Sequence, residues 1–142
     1  MRKSTQLVIL AVTLPLVGLA VFSSHRATET TLNSIAAWKA ADMVVLHLAS
    51  NNNEWPRNWQ ALEDDFGKLY QVHEWTFDEI SRRVTIDFDV KTSTLDTTGS
   101  DKDPSFRVIY PSDGSNVHPD MPNPNTLIQK FLNCDSNHTP NA

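Results

Sequence analysis

Asp87 and Asp89 come closest, by type and spacing, to a catalytic pair. They stand in residues 84–90, where Val84, Ile86, Phe88 and Val90 alternate with Thr85, Asp87 and Asp89. In a β-strand this alternation puts both carboxylates on one face, roughly 6.5 to 7 Å apart, within the range used by paired-acid hydrolases. The same alternation accounts for both acids as the solvated face of a half-buried strand, so neither is assigned a catalytic role. Glu63, Asp64 and Asp65 have a similar explanation as first-turn acids of a helix, favoured by its dipole. No nucleophile elbow, phosphate loop or dinucleotide turn is present, and four glycines in the chain leave little room for one. The expectation is a protein that is not an enzyme and needs no cofactor.

Metal chemistry has a thinner basis. Cys134 and His138 lie four apart, while His25, His47, His73 and His118 are scattered singly. One thiolate and one imidazole make half a zinc site, and no metal is assigned. The segment 96–103 holds three aspartates without the spacing or the terminal glutamate of a calcium loop. Cys134 is the only cysteine, so no intramolecular disulfide can staple the fold. Aromatic side chains offer a different chemistry, because exposed tryptophans recognise sugars and peptides. Trp59 and Trp75 fall on the apolar sides of their own elements, whereas Trp55 is not constrained by periodicity and is the candidate interaction surface.

The elements that must position these residues begin at the N-terminus. Arg2 and Lys3 precede an uncharged, almost wholly apolar run over residues 7–22. As a helix the run spans roughly 24 Å, and polar residues at either end extend it towards the roughly 30 Å of a bilayer core. Gly18-Leu19-Ala20 offers a signal peptidase small residues, but Val21 and Phe22 continue the apolar run beyond it, and cleavage at Ser24 would put Phe22 where a small residue is wanted. An uncleaved signal-anchor is therefore the expectation, with a cleaved and secreted domain as the alternative. Basic residues stay inside, which places the rest of the chain outside the membrane. The layout is a cytoplasmic tip at 1–6, a transmembrane signal-anchor at 7–24, an extracytoplasmic domain at 25–135 and a tail at 136–142. The net charge is −5 for the whole chain and more negative without Arg2 and Lys3, which argues against nucleic acid as a partner.

About 120 residues remain outside the membrane, enough for one small core. Residues 27–50 read as a helix apolar over most of its girth, with Lys39, Asp42, His47 and Ser50 on one narrow stripe. Nothing between Phe22 and Ala27 forces a break, so this central helix can continue out of the bilayer and end at Asn51, Asn52 and Asn53. Asn58 reads as the N-cap of a shorter helix over residues 60–70, with Gly67 as an alternative end one turn early. His73, Trp75 and Phe77 then read as a short strand, residues 84–90 as a second and residues 106–110 as a third. Residues 92–104 read as a long exposed loop. Pro119, Pro122 and Pro124 hold the next segment extended, and Thr126 with Gln129 matches a capping box for a last helix. The fold class expected is α+β, with about three antiparallel strands.

This order of elements resembles type IV pilins, type II secretion pseudopilins and small membrane-anchored bacterial proteins with pilin-like ectodomains. The local tokens are Trp55-Pro56 with Trp59 and Leu62 following, Ile86-Asp87-Phe88, and Pro124-Asn125 before the last helix. Prepilin peptidase substrates carry a glycine before the apolar run and a glutamate at its fifth position; residues 1–6 have no glycine and residues 7–11 no acid. The resemblance therefore implies the shape of the ectodomain and not that processing route. The combined expectation is a single-pass, N-inside membrane protein with a non-catalytic extracytoplasmic domain and a protein partner in the cell envelope. The alternative from another class is a small envelope hydrolase using Asp87 and Asp89.

Overall fold

A computed structural model describes residues 3–70, 74–100 and 104–136, with side chains described from residue 26 to residue 134. The first helix, α1, runs without interruption over Lys3–Ser50. Its 48 residues give a rod about 72 Å long, and its C-terminal half is the axis of the domain. Ala36, Ala37, Ala40, Ala41, Met43, Val44 and Leu48 are all inaccessible to solvent. Four alanines in that stretch leave no side-chain bulk beyond Cβ, so neighbouring elements pack close to the helix backbone. The expected central helix is therefore present and continuous with the segment before it. Among the described residues no helix is long and apolar enough to cross a membrane. The side chains of residues 7–24, on which the anchor expectation rests, lie outside the described set.

Asparagine ends α1. Asn52 and Asn53 take left-handed conformations with φ of 51° and 62°, and the Asn53 N–H donates to Leu48 O at 2.9 Å. That bond closes a Schellman-type turn, a role in which asparagine replaces the more usual glycine because its short polar side chain tolerates the left-handed region. A 3₁₀ turn over Trp59–Leu62 follows, capped by Asn58 Oδ1, which accepts from the Ala61 N–H at 3.0 Å. It leads into α2, Glu63–Leu69, which passes through Gly67 without ending there.

The next segment corrects the expected strand order. Trp75 and Phe77 belong to no strand, and His73 lies outside the described residues. Thr76 instead caps a helix, α3, over Phe77–Arg83. Its hydroxyl accepts from the Glu79 N–H at 3.2 Å while Glu79 Oε2 accepts from the Thr76 N–H at 2.8 Å, a reciprocal box that satisfies two otherwise orphaned donors. The helix turns Ile80 fully into the core.

The sheet has two strands, β1 (Val84–Ile86) and β2 (Ile109–Pro111), paired antiparallel with Thr85 opposite Tyr110. The strand expected over residues 84–90 is cut short after Ile86. There the Asp87 carbonyl accepts from Trp55 Nε1 at 2.8 Å, and its carboxylate accepts from the Asp89 N–H at 3.1 Å. An Asx turn of this kind takes the chain out of the ladder. Phe88 still reaches the core rim, meeting Trp59 edge-on at 6.0 Å. The loop after it is less free than its composition implies: Leu95 packs on the core, and Gln129 and Asn133 donate to the carbonyls of Gly99 and Thr97. These two side chains belong to α4, Asn125–Ser136. The observed architecture is thus α+β, with four α-helices and a two-stranded antiparallel sheet among the described residues.

Candidate functional site

The residues singled out by sequence do not assemble into one site. Asp87 and Asp89 are both exposed and lie in the turn after β1, not side by side on a strand face. The geometric premise for a paired-acid site is absent. Trp55 is only 6 % exposed, its ring in the core and its Nε1 bound to Asp87 O, so it offers no aromatic platform. Cys134 is an exposed free thiol near the end of α4, while His138 lies outside the described residues. Among the described residues no cluster of three metal-ligating side chains occurs.

A concavity lies elsewhere among the described residues, between β2 and the proline-rich segment over residues 116–125. It is a groove of about 520 Å³, lined among others by Arg107, Ile109, Tyr110, His118, Met121 and Pro122. That volume falls within the range of small-ligand sites, about 300 to 1,000 Å³.

The walls are fixed by side chains from the central helix. Ser34 is fully buried; its Oγ donates to Thr30 O at 2.7 Å and accepts from the His118 N–H at 2.8 Å. One turn on, Trp38 Nε1 donates to Pro122 O at 2.6 Å. Two bonds from one face of α1 therefore hold the segment at two points, His118 and Pro122. Within it, Met121 N–H closes a turn onto His118 O at 2.9 Å.

The floor is held by Asn125, 1 % exposed. Its Oδ1 accepts from the N–H groups of Val108 and Ile109, each at 2.9 Å, and its Nδ2 donates to Ile109 O at 2.9 Å. A single amide thus does the work of a neighbouring strand along the outer edge of β2. Pro111 has no N–H to offer on the same edge, so β2 presents little there for another strand to pair with. Asn123 starts α4 in place of the expected box of Thr126 and Gln129. Asn123 Oδ1 accepts from the Asn125 N–H at 3.0 Å, Thr126 Oγ1 donates to Asn123 O at 2.6 Å, and Gln129 is diverted to Gly99.

Polar chemistry in the groove centres on Arg107 and His118. The Arg107 guanidinium lies over the Tyr110 ring, 5.0 Å from its centroid, and Nη2 donates to Ser115 O at 3.3 Å. Among the described residues Arg107 makes no ion pair. His118 Nδ1 accepts from the Asp120 N–H at 3.3 Å, which leaves the proton of the neutral ring on Nε2. The Asp120 carboxylate stands 3.8 Å from Nδ1 with its side chain 90 % exposed. Sequence reasoning missed this site because its supports, Ser34 and Trp38, read as ordinary residues of an apolar helix. The available signal was the density of Pro and Asn over residues 116–125.

Three other polar clusters are structural joints. Asp65, expected on a solvated first turn, is 3 % exposed; it meets His47 Nδ1 at 3.0 Å and Lys68 Nζ at 3.1 Å, tying the end of α1 to α2. Arg83 Nη1 donates to Glu29 Oε2 and Asn33 Oδ1, both at 2.8 Å, and Asn33 Nδ2 donates to Asp113 Oδ2 at 3.0 Å. Asp42 accepts from the Tyr70 hydroxyl at 3.1 Å while Lys39 lies 4.1 Å over the Tyr70 ring. Burial raises the Asp42 carboxyl above its ordinary value, against the opposing pull of Tyr70 and Lys39. Burial and the neighbouring Asp42 likewise push the Tyr70 hydroxyl upward, which keeps it a donor.

The chain matches no family model, no curated protein and no solved structure.

Proposed function

We propose that this chain is a single-pass, N-inside protein of a cell envelope whose extracytoplasmic domain works by binding a partner and not by catalysis. The observation that carries the reading is α1: one uninterrupted helix whose later half is the core of the domain and whose earlier half contains the apolar run over residues 7–22. A domain folded around its own anchor has no hinge between membrane and binding surface. Ser34 and Trp38, which pin the groove, lie about 18 and 24 Å along the helix from Phe22. The groove would therefore face a partner at a fixed height above the bilayer.

The same feature supports the pilin-like resemblance, in which a long N-terminal helix enters a small domain with antiparallel pairing. Residues 1–11 lack the prepilin peptidase pattern, so the reading is an anchored, unprocessed relative in shape. The acidic net charge of −5 supports a protein partner over nucleic acid. The test is fractionation of cells expressing the full chain. The protein should remain in the membrane pellet through high salt and alkaline carbonate, and protease added to spheroplasts should digest the domain. Release by carbonate, or protection until the membrane is broken, would contradict the anchor or its orientation.

A further inference from the structure

We infer that the groove between β2 and residues 116–125 is a receptor for the free C-terminus of a peptide whose last side chain is apolar. The inference rests on the reading of the domain as a binding module and adds the chemistry of what it binds.

Four observations lead to a carboxylate with an apolar group beside it. Arg107 is a guanidinium with no acid partner among the described residues, in a chain of net charge −5. Stacking on Tyr110 holds it, and among the described residues one of its five donors is spent, on Ser115 O. His118 adds an Nε2 donor, because its Nδ1 is occupied by the Asp120 N–H. Ile109, Val117, Met121 and Pro122 supply the apolar part of the lining. A terminal residue carries its carboxylate and its side chain on one Cα, so it brings both to a small groove together.

The charge balance selects among anions. Asp120 also lines the groove, and its carboxylate opposes a second negative charge, so a monoanionic carboxylate is favoured over a phosphate dianion. The backbone excludes another mode of peptide capture. Strand addition needs a free edge, and on β2 the Asn125 amide and Pro111 have closed it. Recognition therefore falls to the terminal charge and the last side chain. The walls are already pinned by Ser34 and Trp38, so little ordering cost attends binding.

The test uses the full chain in detergent micelles and a fluorescein-labelled pool of tripeptides ending in Leu, Val or Phe, read by anisotropy. The free-acid pool should bind, the same pool as C-terminal amides should bind at least about tenfold more weakly, and Arg107→Gln should lose about as much, one tenfold step being about 1.4 kcal/mol. Asp120→Asn should tighten binding of the acid, and unlabelled inorganic phosphate should compete poorly. Equal binding of acid and amide, no effect of Arg107→Gln in a folded variant, or no binding at millimolar peptide would overturn the inference. Strong competition by phosphate would overturn it in favour of a general oxyanion site. If Arg107→Gln fails to fold, the acid-to-amide ratio and the Asp120→Asn variant still decide. None of these readouts depends on membrane topology, so a failed anchor and a failed groove are distinguishable.

Discussion

At the scale of single residues, the domain depends on a few buried polar side chains that substitute for missing secondary structure. Asn125 satisfies the N–H of Val108, just before β2, and both the N–H and the C=O of Ile109 within it. Asn125→Ala would strand all three in a dry environment, and each orphaned group costs about 1 to 3 kcal/mol. Urea denaturation should show a loss of roughly 3 kcal/mol or more, and a loss below about 1 kcal/mol would mean that water or another side chain takes over. Asp42 gives a pH signature. Burial raises its pKa from 3.8, so the folded state holds the proton more tightly than the unfolded chain. Its contribution is full below 3.8 and declines as pH rises through the raised folded value. Asp42→Asn should remove that decline, gaining stability relative to the parent between about pH 3.5 and pH 7 in urea midpoints. An unchanged difference between the two pH values would contradict the assignment. Neither role was legible in the sequence: Pro124-Asn125 stood out only as a token, and the partners of Asn125 and Asp42 lie 16 and 28 positions away.

At the scale of elements, legibility followed the strength of the local pattern. The central helix, the Asn51 to Asn53 stop and the Asn58 cap were readable because periodicity and capping chemistry are local. The alternation of Trp75 and Phe77 reads as a strand, yet the Thr76 to Glu79 box in the same stretch starts a helix, while His73 lies outside the described residues. A three-residue alternation is weak evidence of a strand, whereas a Ser or Thr followed three positions on by Glu carries two specific hydrogen bonds. The shortening of β1 has one local signal, the Asx turn of Asp87, and one that is not local, Trp55 reaching across to Asp87 O. Thr76→Ala should destabilise the domain by about 1 kcal/mol. In native-state hydrogen exchange, the amides of α3 should lose protection more than those of α4. Equal loss in both helices would show that the box does not govern α3 independently.

At the scale of the whole molecule, the fold is organised around one helix that serves as axis, core and support for the groove. Removing any outer element leaves α1 with exposed Ala, Met and Val surface, so the domain is expected to unfold as a unit. The α+β class and the continuity of the central helix were readable from patterning and from the absence of breakers. The groove was not, because it arises from Ser34 and Trp38 meeting a segment 84 positions later in the chain. The central claim is that this axis also anchors the domain, which requires the apolar run over residues 7–22 to stay attached. The most direct measurement is the intact mass of the protein recovered from cell membranes. The account predicts a mass that retains the whole run; a mature form beginning at or after residue 21, recovered in the soluble fraction, would contradict it.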